Sequence, residues 1–355
     1  MNCKHILLPL SLVFLALSCE KSPTGPEPVK DPRTYTWTID TLAYPGSFQT
    51  TMRDIWGSSP NDVYVVGHND QPGPGTMFHY DGKTWRTTGF HSAEGGSVQG
   101  PVSLSAIYGF APNDVWAVGE HIYTNYNPPP NFLDSSLIIH YDGGKWTEFR
   151  PPSGRLLQAV WGSKPNDVWA GGLDGTLYYF DGVTWKAVSI GKKVWFLNFG
   201  GFTSSDVYAM AYELDSGVMD STFQYVWHWD GTTWSIRDFY VETFGNEDKF
   251  GTSSLFAVEG NLFSAGQGIF RKSSSGWERI FYDPSTFFRD IKGSGLENLF
   301  AVGNFSAVYH FNGSDWYRYR QFLDANIHYS ASWTNAKEVF VVGDDGFKTY
   351  VLHGK

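Results

Sequence analysis

An all-β, seven-bladed β-propeller is the fold this chain predicts, and three observations carry it. A four-strand phrase recurs along almost the whole sequence after residue 34. The last copy lacks its final strand, and a matching strand stands alone near the N-terminus. Composition agrees: aromatics make up 17% of 355 residues, glycine is abundant with 39 copies, and charged residues reach only 17%. Aromatic side chains with turn formers and few charges suit short strands rather than helices.

The phrase is an apolar strand ending in Gly, a small turn carrying Asp, a second apolar strand, then a third that ends Tyr-Asp-Gly with a Trp three residues on. It reads DIWGSSPNDVYVVG and MFHYDGKTW within Asp54 to Trp85. The second copy is AIYGFAPNDVWAVG with IIHYDGGKW, Ala106 to Trp146. AVWGSKPNDVWAGG with YYFDGVTW follows at Ala159 to Trp185, then NFGGFTSSDVYAMA with VWHWDGTTW at Asn198 to Trp234. An eroded fifth copy ends at Trp277, and a sixth, DIKGSGLENLFAVG with VYHFNGSDW, ends at Trp316. Each copy reads as four antiparallel strands, a to d from the axis outward, and such units in series are propeller blades. The Asp-Gly and Asn-Gly pairs between strands c and d are expected to be two-residue hairpin turns.

The seventh copy supplies SASWT, EVFVVG and KTYVLHG and then stops. The missing outer strand is Tyr35-Thr-Trp37-Thr-Ile39, which is expected to close the ring and leave no open sheet edge. The repeats resemble the wider kelch and Asp-box propellers. They are most similar to the secreted bacterial propellers built on W-G-x-x-x-N-D-V-W-A-V-G. Only Gly171-Gly172 shows the kelch glycine pair, and Asp81-Gly82 and its equivalents lack the residue that Asp-boxes place between Asp and Gly. The resemblance implies a fold and says little about function.

The N-terminus reads as a targeting segment. Lys4 provides a positive start, and Ile6 to Leu17 is a twelve-residue apolar run, too short to span a bilayer. Ala16-Leu17-Ser18-Cys19 then resembles a bacterial lipobox. This implies cleavage before Cys19, acylation of that cysteine and stable anchoring; an ordinary secretory signal followed by a free Cys19 is the alternative. The expected organisation is a signal peptide at 1–18, a lipidated Cys19 with a proline-rich tether at 19–34, and the propeller at 35–355. A tether of this composition would hold the domain up to roughly 40 Å from the membrane, at about 3 Å per residue. The expected location is the bacterial cell envelope, at the outer membrane or cell surface rather than the cytoplasmic membrane.

The remaining chemistry is sparse. A net charge of −10 with no basic run argues against nucleic acid. Cys3 leaves with the signal peptide, so Cys19 is the one cysteine of the mature chain and no internal disulfide can form. Neither an HExxH pair nor a phosphate loop occurs, and no cofactor, metal or catalytic residue is expected. Asp62, Asp114, Asp167 and Asp206 should cap backbone N–H groups in the a–b turns, and Asp81, Asp142, Asp181 and Asp230 should do so between strands c and d. His79, His140, His228 and His310 recur once per blade, too far apart to share a metal, and read as packing or hydrogen-bonding groups. The repeated Trp85, Trp146, Trp185, Trp234, Trp277 and Trp316 should fill gaps between blades.

Function is expected on one face. In an up-and-down blade the a–b and c–d turns share one face and the b–c and d–a loops the other. All the long insertions fall in the second class: His68 to Thr76, His91 to Ser103, Glu120 to Ser136, Tyr212 to Thr222 and Tyr240 to Ser253. Long loops on a rigid scaffold are where binding residues concentrate. The blade 2 insertion carries Tyr123, Asn125, Tyr126 and Phe132 around three prolines, which suits sugar rings or a protein partner, or packing on neighbouring loops. Tyr212 opens the blade 4 insertion. At the axial mouth Arg53 and Asp54, Gln158, Asn198, Arg289 and Asp290, and His328 and Tyr329 should line a funnel. There the arginines could grip a carboxylate or phosphate, or pair with Asp54 and Asp290. The leading reading is a non-catalytic envelope scaffold binding a glycan or protein. The alternative is a carbohydrate-active enzyme, which would need two carboxylates about 5 to 10 Å apart.

Overall fold

The computed structural model describes residues 30–71, 73–124, 132–151, 154–214, 221–243, 248–324 and 326–355. The expected signal peptide and Cys19 lie outside them. Seven four-stranded antiparallel sheets form the blades. Blade 1 runs from Thr50 to Thr87, blade 2 from Val102 to Phe149, blade 3 from Leu157 to Ala187 and blade 4 from Trp195 to Thr243. Blade 5 covers Ser254 to Phe281 and blade 6 Phe288 to Arg318. Blade 7 takes three strands from His328 to Gly354 and its outer strand from Trp37–Leu42, paired Trp37 to Gly354 through Leu42 to Thr349. The closure expected from the sequence is therefore present, and the main chains of Thr36 and Lys355 extend it with two reciprocal bonds.

Apolar burial is organised between blades. The b-strand Val115 and Ala117 of blade 2 pack with Tyr64 and Val66 of blade 1, and Trp146 seals the same cluster. The repeated tryptophans do this throughout the first half of the ring. Trp146 meets Tyr64 edge-on at 6.1 Å, Trp185 meets Trp116 at 5.3 Å, and Trp234 meets Trp169 at 5.1 Å. Each reaches back from an outer strand to the b-strand aromatic of the preceding blade, so the indole area buried there also fixes blade spacing.

Three local expectations need correction. The Asp-Gly and Asn-Gly c–d connections of blades 1 to 4 and 6 are four-residue loops, not two-residue turns. In blade 1 only Gly82 takes a positive φ, +87°, while Asp81 Oδ1 accepts the N–H groups of Lys83 and Thr84. An aspartate that binds its own backbone two and three residues on makes its own turn and has no need of a left-handed conformation. The same pattern recurs at Asp142, Asp181, Asp230 and Asn312. Those amide bonds hold the Asp81 and Asp142 carboxyls below the usual carboxylate range.

The a–b aspartates do not cap local N–H groups; where strand c carries a histidine they bond across the blade, and Asp62 and Asp167 also accept a serine hydroxyl from four residues back. Asp62, Asp114 and Asp206 stand 2.7, 2.7 and 2.8 Å from Nε2 of His79, His140 and His228 on strand c. Each imidazole also lies against the b-strand aromatic opposite it, Tyr64, Trp116 or Tyr208, with ring centres 4.1 to 4.6 Å apart. Burial resists ionisation of Asp62, but the bonds from His79 and Ser58 outweigh it and leave that carboxyl lowered. In blade 3 Tyr179 replaces the histidine opposite Trp169, and Asp167 is bonded by Ser163. Blade 7 builds the same unit from His353 and Glu338 at 2.6 Å.

Two insertions expected as loops begin and end as hairpin stems. In blade 2 the pairing continues from Glu120 opposite Ser136 to Thr124 opposite Phe132, and 125–131 lie outside the described residues. In blade 4 it continues from Tyr212 opposite Gln224 to Leu214 opposite Thr222, and the outer strand runs ten residues, Trp234–Thr243. Once two strands are aligned, adding a further pair costs less than opening a loop, so β-prone residues on both sides zip onward.

Candidate functional site

Six of the seven inner strands carry a bulge where they enter from the loop face. The ladder skips one residue between Met52 and Asp54, Leu104 and Ala106, Leu157 and Ala159, Phe196 and Asn198, Phe288 and Asp290, and Tyr329 and Ala331. A bulge re-aims the extra residue. Here the extra residues Arg53, Ser105, Gln158, Leu197, Arg289 and Ser330 all line an axial cavity of about 540 Å³. Sequence reasoning had found the arginines and Gln158 but not the device that turns them inward.

The residue following the bulge ties blades together. Asp54 accepts from its neighbour Ile55 N–H and from Ile107 N–H of blade 2, both at 2.9 Å. Asn198 Oδ1 accepts Leu255 N–H of blade 5 at 2.9 Å. Asp290 takes Ser254 Oγ of blade 5 at 2.8 Å and the Ser332 N–H of blade 7 at 2.9 Å. Burial pushes the Asp54 carboxyl up to about 6 despite its two amide donors.

The arginine pairing considered from the sequence is not what forms. Asp290 pairs with Lys292 at 2.8 Å, and Arg289 Nε donates to Asn304 Oδ1 at 2.6 Å. Both arginines are exposed. Among the described residues no carboxylate lies within ion-pair distance of either. Gln158 Oε1 and Ser105 Oγ are buried in the cavity wall without partners. These are groups that a polar ligand or water would satisfy.

Of the other expected site residues, His328 and Tyr212 do not line this cavity. His328 begins the inner strand of blade 7; its Nδ1 accepts Phe305 N–H at 3.4 Å and its ring sits 5.3 Å from that of Phe305. Tyr212 packs on Trp195 at 5.2 Å, and burial raises its hydroxyl. Tyr123 and Phe132 occupy the blade 2 stem, opposite Leu133 and Thr124. Asn125 and Tyr126 lie outside the described residues.

The loop face carries a feature that sequence reasoning missed. Ten large apolar side chains are exposed among the described residues. Five sit in loop-face connections: Phe48, Tyr282, Phe305, Leu323 and Phe347. Four belong to outer strands, and Val183 alone lies on the turn face. All five loop-face residues come from the arc of blades 5, 6, 7 and 1, away from the long insertions of blades 2 and 4. Phe48, 74% exposed, and Phe347, 52% exposed, meet edge-to-face at 5.3 Å. Phe305 and Ser306 both adopt positive φ, +56° and +54°, in a tight turn closed by Ala307 N–H to Asn304 C=O. A non-glycine pair in that conformation is strained, and the strain leaves an aromatic ring in solvent. The available signal was a single large apolar residue amid turn formers, as in Asn304-Phe305-Ser306 and Asp345-Gly346-Phe347.

No family model matches this sequence, and no curated protein matches it. Among solved structures the chain is similar to "YCF48 bound to D1 peptide" at 14% identity and TM-score 0.58, covering 91% of this chain and 97% of that one. YCF48 from Cyanidioschyzon merolae aligns at 14% identity and TM-score 0.53 over 89% and 98%. The WD40 β-propeller domain of Doa1 aligns at 13% and 0.58 over 90% and 97%. What they share is the propeller. At such identity the likeness establishes the fold alone.

Proposed function

We propose that this protein is a non-catalytic scaffold of the bacterial cell envelope that binds a segment of a partner protein on its loop face. The observation that carries this reading is the arc of exposed aromatics at Phe48, Phe305 and Phe347 together with two exposed arginines, Arg53 and Arg289, neither of them held in an ion pair among the described residues. Rigid aromatic anchors next to charge-complementary donors are the usual makings of a protein-binding hot spot. The complementary partner is a segment with apolar side chains and an acidic group. The peptide-bound state of one structural neighbour supports the choice of a protein over a glycan. The mouth carboxylates Asp54 and Asp290 are engaged in holding blades together, which favours binding over acid–base chemistry.

In the same reading residues 1–18 are a cleaved signal and Cys19 bears lipid. Replacing Cys19 by Ala should release the protein from membranes; unchanged detergent-dependent fractionation would refute the anchor. The binding site is tested by a photo-crosslinking residue at position 347, with position 183 on the turn face as control, in intact envelopes and beside a glycan array. A discrete protein adduct at 347 that disappears in Arg53→Ala/Arg289→Ala is expected. Equal adducts at both positions, or glycan binding unaffected by those changes, would overturn the assignment.

A further inference from the structure

The chain joins its propeller on the turn face. Lys30 Nζ donates to the Lys355 carbonyl at 2.9 Å, beyond the end of strand c of blade 7. Strands c end on the turn face, so this contact marks the point of entry. Asp31 then caps a short 3-10 turn, Pro32–Thr34, in which Pro32 is buried. Arg33 Nη2 reaches the carbonyl and the carboxylate of Asp315 at 2.8 and 3.1 Å, in the c–d loop of blade 6. Tyr319 donates its hydroxyl to Pro32 C=O at 2.9 Å, and Trp37 packs edge-on against Tyr319 and Phe322. From Lys30 on, several residues before the closing strand, the chain is thus docked on the turn face. The last residues assigned to the tether are part of the rigid body.

We infer that, with lipid on Cys19, the propeller stands turn face toward the membrane and presents its loop face, with Phe48, Phe305 and Phe347, to the aqueous side. Its partner is then a soluble protein or one approaching from an opposing surface, rather than a neighbour lying flat in the same membrane. This rests on the lipid anchor proposed above. Reach supports it. Ten residues lie between Cys19 and Lys30, and even fully extended the chain from one to the other reaches at most about 36–40 Å, at about 3.3–3.6 Å per residue. The inner strand of blade 1 has ten residues, so the body is about 33 Å deep at 3.3 Å per residue. Laying the loop face on the bilayer would require the tether to be drawn out almost fully along the whole depth of the body.

The test uses the full lipidated chain in vesicles carrying an acceptor lipid. A single fluorophore is placed through Lys83→Cys on the turn face or Phe347→Cys on the loop face; Cys19 is acylated and does not label. Transfer to the membrane should be strong from position 83 and mostly lost from position 347. Equal or stronger transfer from 347 in vesicle-bound protein overturns the orientation while leaving the anchor standing, and would mean that the exposed phenylalanines enter the lipid. Failure of the unaltered chain to bind vesicles at all would sink the anchor and the orientation together.

Discussion

The indole of Trp56 lies across Gly109 of the next blade, its Cζ2 2.7 Å from where a Cβ on that glycine would stand. Trp333 covers Gly57, Phe110 covers Gly162, and Trp161 covers Gly201 in the same way. The Trp-Gly pair of the repeat is therefore a contact between blades: each aromatic needs the glycine of its neighbour, not its own. Gly109→Ala should destabilise the domain by about 1–3 kcal/mol, the usual cost of overpacking. In chemical denaturation, Trp56→Ala combined with Gly109→Ala should cost less than the sum of the two single changes. Strict additivity would show that the two residues do not meet.

The histidines should make the fold sensitive to acid. Burial drives the His310 imidazole down to about 4, and burial also lowers His353. A base whose folded pKa lies below its unfolded value of about 6.5 stabilises the protein above that value. The stability is lost as pH falls from about 6.5 toward 4. Melting temperature should drop through this window, and His310→Gln should flatten the fall. An acid limb of unchanged steepness in that variant would move the sensitivity elsewhere.

Removing residues 35–42 takes away Trp37–Leu42 and exposes the strand Thr349–Gly354 along its whole length. Such an open edge templates pairing between molecules. The truncated protein should aggregate or lose cooperative unfolding on size exclusion and calorimetry. A monomer with an unaltered melting transition would contradict closure through this strand.

Phe48 and Phe347 are mostly in solvent, so replacing both with Ser should leave stability within about 0.5 kcal/mol per site. The crosslinked adduct at a neighbouring loop position should nonetheless be lost. A large fall in melting temperature would make the pair a structural contact.

The architecture was legible in the linear chain because each blade is local. Strands a to d follow one another in sequence, the aromatic and glycine positions repeat, and the lone strand at Trp37 has only one copy lacking a partner. Strand order and blade number follow from that pattern alone. The Asp-to-His bonds were not legible, because 17 residues separate Asp62 from His79 but 26 separate Asp114 from His140. Only the register of strands b and c makes those distances equal. The inward turn of Arg53, Gln158 and Arg289 depends on bulges, which leave no mark in the alternation of apolar residues. The exposed arc was hidden for the opposite reason. Long insertions drew attention to blades 2 and 4, whereas Phe48, Phe305 and Phe347 stand in short connections that look like ordinary turns. Sequence periodicity determined which residues pair within a blade. Which side chains meet around the axis, and on which face Lys30 and Arg33 dock, was decided only when seven blades closed on one another, since those relationships join residues hundreds of positions apart.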